Sequence, residues 1–214
     1  MFEKILSPEA KNALAILGKE KFFRQDAYLA RGTAIALQLG HRFSYDLDFF
    51  SPTKFSATEM RRYLETNVPK FRIDRWAWGT IIGFVDNFHF SLFFYEHPLL
   101  YKPIPFYGTK VAHLKDLAAM KIAAISERGT KRDFVDLYYI AKKEGLSLLD
   151  AILLFSKKYR YASSALPHVL KSMTYFEDAE KEKMPVMIEK VLWEDVKKFF
   201  LQEAPKVFNF FVRP

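Results

Sequence analysis

There is no cysteine among the 214 residues, which removes disulfides, thiolate nucleophiles and Cys-rich zinc sites and makes a reducing cytoplasm the expected compartment. No window approaches the roughly 20 apolar residues that a membrane span requires. The opening MFEKILSPEAKNAL scatters its charges where a secretory leader would carry a basic patch followed by an apolar run. The expectation is a soluble, unexported chain with no membrane contact. No internal repeat or low-complexity tract interrupts it.

Half of the residues are apolar, enough for an ordinary core in one large domain or two small ones. The formal charge is +8 and the isoelectric point is near 9.4. That balance favours a polyanionic partner through counterion release, without by itself selecting nucleic acid.

Ser7-Pro8-Glu9 reads as the start of a helix running to Phe23, with Ser7 as N-cap and proline in the first turn. After Tyr28-Leu29-Ala30 comes a compact helical run, Ala34 to Leu39, and then a strand from Ser44 to Phe50. Ala57 to Glu65 is helical. Arg72 to Trp78, Thr80 to Val85 and Phe88 to Tyr95 are strand-like, with Asp86-Asn87 as a tight hairpin turn. Beyond Pro103 and Pro105 the texture changes. Helical spacing marks Leu114–Glu127, Lys131–Lys143, Leu148–Tyr159, Ala165–Met173 and Ile188–Glu203. The expected fold is α+β: a mixed α/β domain over residues 1–108, then a helical domain over 109–214.

In the strand around Asp46-Leu47-Asp48-Phe49, alternation places both aspartates on one face and the two apolar residues on the other. Two carboxylates whose Cα atoms lie about 6 to 7 Å apart repel one another unless a cation intervenes. A hard divalent ion that also takes phosphate oxygens suits such a pair. The plain alternative is two acids facing water on a half-buried strand. Upstream, Gly32-Thr33 opens a helix, where glycine allows close backbone approach and the N-terminal N–H groups can hold phosphate oxygens. Read separately, Gly32 is a turn residue and Thr33 an N-cap.

The combination resembles the polymerase-β-like nucleotidyltransferase superfamily, in which a small-residue pair at a helix start precedes D-x-D on a strand. The wider text, GTAIALQLGHRFSYDLDFFS with LKDLAAMKIAAISERGTKRDFVDLY, is similar to the AbiEii/AbiGii abortive-infection toxin family of nucleotidyltransferases. The similarity spans roughly residues 25 to 145. It implies a nucleotidyltransferase fold, NTP as substrate, Mg²⁺ or Mn²⁺ held by Asp46 and Asp48, an RNA acceptor such as a tRNA 3′ end, and a cognate antitoxin.

Within the second block, Lys121 shares a helical stripe with Leu117, Ala124 and Arg128. Such a lysine either snorkels to solvent or, as the resemblance implies, neutralises charge near nucleotide phosphates, with Arg128 assisting. Thr130-Lys131-Arg132-Asp133 has the form of a capping box. Asp136 lies one turn on, and the resemblance places Asp133 and Asp136 at the border of the cleft, with Asp133 favoured as the functional acid. Arg31 and Arg42 are further candidates for phosphate contact. As a lone surface arginine Arg42 has a plain reading too.

Two positions depart from the family pattern. Ser91 stands on the strand where a third carboxylate is expected, which leaves Asp133, Asp136 or Glu96 to substitute, or a site with reduced activity. His89 shares its face and could serve as a base, although a half-buried histidine is more often structural. Arg31 stands where relatives often have glycine. If its φ is positive, arginine costs about 1 to 2 kcal/mol there. The leading expectation is therefore Mg-dependent transfer of an NMP to an RNA hydroxyl. The alternative is a degenerate module that binds nucleotide or RNA without transfer. Trp76 and Trp78 could stack an unpaired base, although core packing is the ordinary duty of tryptophan.

Overall fold

The computed structural model of the chain describes residues 1–160 and 166–212. It combines a seven-stranded mixed sheet with helices and a helical C-terminal part. The chain divides into two compact units, Met1–Gln38 with Phe43–His113, and Leu39–Arg42 with Leu114–Pro214. Among the described residues no helix is long and apolar enough to cross a membrane.

The first unit contains helices α1 (Pro8–Leu17), α2 (Lys21–Gln25), most of α3 (Arg31–Leu39) and α4 (Ala57–Asn67). Its strands are β1 (Tyr28–Leu29), β2 (Asp46–Ser51), β3 (Phe71–Ala77), β4 (Thr80–Val85), β5 (Phe88–Phe94), β6 (Ile104–Phe106) and β7 (Thr109–Val111), in the sheet order β3-β4-β5-β2-β1-β7-β6. β2 is parallel to β5 and β1 to β7, whereas the other pairs are antiparallel. Ser7 caps α1 by accepting from the Ala10 N–H at 3.2 Å. The helix expected to continue to Phe23 instead stops at Leu17 and resumes at Lys21. The break falls at Gly18, where an added Cβ would lie 1.9 Å from the Tyr107 carbonyl oxygen. Close backbone contact there excludes any side chain.

β2 alternates as its sequence requires. Leu47 and Phe49 are wholly buried, and the rings of Phe23, Phe49 and Phe90 meet edge-on or tilted at 5.0 to 6.0 Å. Burying each such side chain contributes about 1.5 to 3 kcal/mol, so this cluster fixes the register of the strand and turns Asp46 and Asp48 to the opposite face.

The second unit contains α5 (Leu114–Glu127), α6 (Lys131–Glu144), α7 (Leu148–Tyr159), α8 (Leu166–Ser172), α9 (Glu177–Glu180) and α10 (Trp193–Val212). Ala165, the expected start of the fourth helix, lies outside the described residues. Phe134 is the aromatic centre, with Phe200 and Phe176 at 5.0 and 5.1 Å. α10 begins five residues later than the expected Ile188 because the backbone there is bonded elsewhere: Arg42 bridges to Met187, and the N–H groups of Ile188 and Glu189 donate to the His41 carbonyl at 2.8 and 3.1 Å.

Candidate active site

In the first unit the candidate residues converge where α3 begins beside β2. Asp46 and Asp48 share a face, Asp46 half-exposed and Asp48 with 14% of its side chain accessible. Thr33 does not act as an N-cap: it lies within α3, and its hydroxyl donates to the Asp46 carbonyl and lies 2.9 Å from Ser44 Oγ. That link ties the helix start to the strand that carries both acids. Gly32 immediately precedes it in the first turn of α3, the turn whose N–H groups lack intrahelical acceptors.

Arg31 has φ 55°, so its backbone is in the left-handed region that favours glycine. Its guanidinium explains how arginine is accommodated. It lies 4.6 Å from the Phe93 ring centre and 5.1 Å from that of Phe50, and its Nη1 is 3.5 Å from Asp48 Oδ1. Cation–π contact and the carboxylate offset the conformational cost. The sequence reading missed this aromatic floor. The signal was present only in part: Phe50 continues the alternation of Asp46 and Asp48, but its pairing with Phe93 is set by the strand register.

The β2–β5 register sets Asp46 opposite His89 and Asp48 opposite Ser91, so serine does stand beside the second aspartate. Burial pushes the Asp48 carboxyl above its ordinary value, and the negative charge of Asp46 adds to this. The Arg31 guanidinium, a hydrogen bond from Ser91 and His89 oppose the rise without cancelling it. His89 Nδ1 is 3.0 Å from Asp46 Oδ1. A buried acid whose charge is only partly compensated, with a second acid beside it, is a donor set suited to a hard cation. Among the described residues no group of three or more His, Cys, Asp or Glu could hold a metal. The pair therefore fits a divalent ion only if phosphate oxygens or water complete its coordination.

The second unit gathers the remaining candidates into a buried ion network. Lys121 does not snorkel: 6% exposed, its Nζ lies 2.7 Å from both Asp133 Oδ1 and Asp136 Oδ2. Arg128 Nε donates to Asp133 Oδ2 at 2.9 Å. Arg42 is not a surface arginine but is buried, donating through Nε and Nη2 to the two oxygens of Asp136 at 2.7 and 2.8 Å. His41, which the sequence reading passed over, places Nε2 2.9 Å from Asp136 Oδ1. The expected capping box at Thr130 is not formed, because the Asp133 carboxylate turns to Lys121 and Arg128 and accepts from the Thr130 hydroxyl at 2.6 Å.

Burial pushes both carboxyls of this network up, but the cations win. Lys121 and Arg128 hold Asp133 well below the usual carboxylate range, and Lys121 with Arg42 and His41 does the same for Asp136. Glu96, weighed as a substitute acid, is exposed just beyond β5.

The mixed sheet places two carboxylates beside a helix start, in keeping with the resemblance to nucleotidyltransferases. Solved structures superpose on this chain. MenT4, a nucleotidyltransferase toxin of Mycobacterium tuberculosis H37Rv, aligns with a TM-score of 0.56 over 95% of this chain and 82% of its own, at 17% identity. JHP933 of Helicobacter pylori aligns at 0.53 over 99% and 94%, at 15% identity. The antibiotic-resistance factor ANT(2'')-Ia aligns at 0.52 over 73% and 92%, at 15% identity. An uncharacterized protein of Aquifex aeolicus (strain VF5), aq_aa25, is 39% identical over 186 residues, 84% of this chain and 86% of its own. Residues 82–213 match the family described as Nucleotidyl transferase AbiEii toxin, Type IV TA system. The chain belongs to this AbiEii nucleotidyltransferase toxin family.

Proposed function

We propose that the first unit binds an NTP at the start of α3 and transfers its NMP to an RNA hydroxyl, such as a tRNA 3′ end. The observation that carries this reading is the junction itself: Asp46 and Asp48 on one face of β2, tied by Thr33 and Arg31 to the turn that opens α3. Asp46 and Asp48 would hold Mg²⁺ or Mn²⁺, which supplies positive charge against the triphosphate. The α3 first turn at Gly32 and Thr33 holds phosphate oxygens, and Arg31 adds a guanidinium at the same place. The acceptor oxygen bonds to the α-phosphorus while the bond from that phosphorus to the pyrophosphate oxygen breaks. The hydroxyl proton passes to a base on the carboxylate face, where His89 is positioned. Alignment and charge neutralisation provide most of the acceleration.

For Lys121, Arg128, Asp133 and Asp136 the resemblance implies service to the phosphates and the cleft border, and Arg42 was a further candidate for phosphate contact. Their mutual pairing adds a folding role for the second unit. Lys121→Met should therefore lower thermal stability, whereas Asp46→Asn should lower transfer alone. A degenerate module that binds without transfer is the second reading, favoured by Ser91 opposite Asp48.

Incubation with each labelled NTP, Mg²⁺ and bulk tRNA separates the two. Label on RNA that disappears in Asp46→Asn supports transfer, and nucleotide binding without product supports the module. As a member of a type IV toxin–antitoxin family, the chain is also expected to slow growth when expressed alone, and co-expression of an antitoxin from a neighbouring gene should relieve the effect.

A further inference from the structure

Trp76 and Trp78 are 43% and 73% exposed, against the expectation that they pack in the core. They wall a cleft of about 630 Å³ in the first unit, between the start of α4 and the β3–β4 turn. That volume is in the usual range for small-ligand sites, about 300 to 1,000 Å³. Neither ring is loose. Trp78 meets the Phe94 ring edge-on at 5.7 Å, and its position is set by Gly79, whose φ of 61° and close approach to Phe94 suit glycine alone. Trp76 lies beneath the Arg61 guanidinium, 4.1 Å from the ring centre, and Lys54 Nζ stands 5.8 Å from that of Trp78.

Exposed large aromatics forgo burial that would stabilise the fold, and fixed ones flanked by cations match the stacking platforms that hold unpaired bases. The charge is complementary to such a ligand: from Lys54 to Trp78 there are six basic and three acidic side chains. The β3 edge carries that charge from one face of the sheet to the other. Trp76, in register with buried Ile81, emerges on the α4 side. Arg75 is in register with Ile82, Ser91 and Asp48, and Arg72 with Phe84, His89 and Asp46, so both arginines share the face of the paired carboxylates. Arg72 is stacked 4.6 Å from the Phe84 ring centre on that face. Charged side chains on an edge strand also deter strand pairing. That duty explains the arginines but leaves the exposed tryptophans without a role.

We propose that this cleft is a second RNA contact, in which Trp78 and Trp76 stack unpaired bases and Arg75 and Arg72 lead the backbone over the β3 edge toward the carboxylate face. The proposal rests on the RNA-acceptor reading above and specifies single-stranded RNA as the occupant.

The test is fluorescence anisotropy with a labelled, unpaired oligoribonucleotide of about a dozen residues, within the span of known single-strand sites, alongside the duplex of the same sequence. The Asp46→Asn protein is used so that no product forms. Tight binding of the unpaired strand with quenching of tryptophan emission is expected, together with weaker duplex binding. Trp78→Ala should weaken binding about tenfold, in keeping with the loss of one stacked base, while Trp78→Phe retains most of it. An unchanged melting temperature of Trp78→Ala confirms intact folding. Equal affinity of wild type and Trp78→Ala for the unpaired strand overturns the proposal and leaves the cleft to a protein partner. Binding that depends on Trp78, when the chain with Asp46 intact transfers no label to tRNA, upholds the cleft and removes the transfer reading. Full transfer to tRNA by Trp78→Ala, with undiminished RNA affinity, does the reverse.

Discussion

Asp48 is where folding and chemistry oppose one another most directly. Its carboxyl is pushed above the ordinary value by burial and by Asp46, so folding disfavours its ionised form relative to the unfolded chain. A carboxyl raised on folding lowers stability at pH values where it must ionise, and the penalty disappears below the ordinary carboxylate range, where folded and unfolded forms are both protonated. Asp48→Asn is therefore expected to melt higher than wild type at pH 7 and to lose that advantage below about pH 4, while transfer is abolished. Melting curves at the two pH values check this, and an Asp48→Asn protein less stable than wild type at pH 7 contradicts it. The alternation of β2 revealed this residue in the sequence. The contribution of Arg31 was legible only in part. Its departure from glycine was visible, but the Phe50 and Phe93 rings beneath it come from strands far apart in the chain.

At the scale of elements, the Lys121–Asp133–Asp136–Arg42 network is the counterpart, with the sign reversed. Its carboxyls are held below their ordinary values by paired cations. Their contribution is fully present above the ordinary carboxylate range and is lost as the pH falls through the lowered folded values. Removing one partner leaves a buried charge uncompensated, so Asp136→Ala should cost about 3 to 5 kcal/mol. Urea unfolding at pH 7 measures this, and a loss below about 1 kcal/mol would place the pair among weak surface bridges. Helices such as α5, α6 and α7 were legible because their apolar spacing repeats over many residues. β1, β6 and β7, at two or three residues each, are too short to show a period. The capping box failed because Lys121 and Arg128 compete for the same carboxylate. The late start of α10 reflects backbone bonding to His41, a partner remote in sequence.

For the molecule as a whole, the charge of +8 becomes specific only through its placement. If an RNA backbone follows the β3 edge, affinity should fall steeply with salt. Each phosphate neutralised contributes a slope of about −0.7 on a log–log plot for a single strand. The double variant Arg72→Ala, Arg75→Ala should flatten that plot by roughly one to two such contacts. An unchanged slope would show that neither arginine meets a phosphate. The sequence could report the charge and the tryptophans but not their exposure, because alternation along β3 does not reveal that the strand lies at the sheet edge.

The most direct measurement is calorimetric titration of NTPs with and without Mg²⁺ into wild type, Asp46→Asn and Asp48→Asn. Binding that requires the metal in wild type and is lost in both variants is the predicted result. NTP uptake indifferent to Mg²⁺ and to both substitutions would contradict the claim that the paired aspartates hold the nucleotide through a cation.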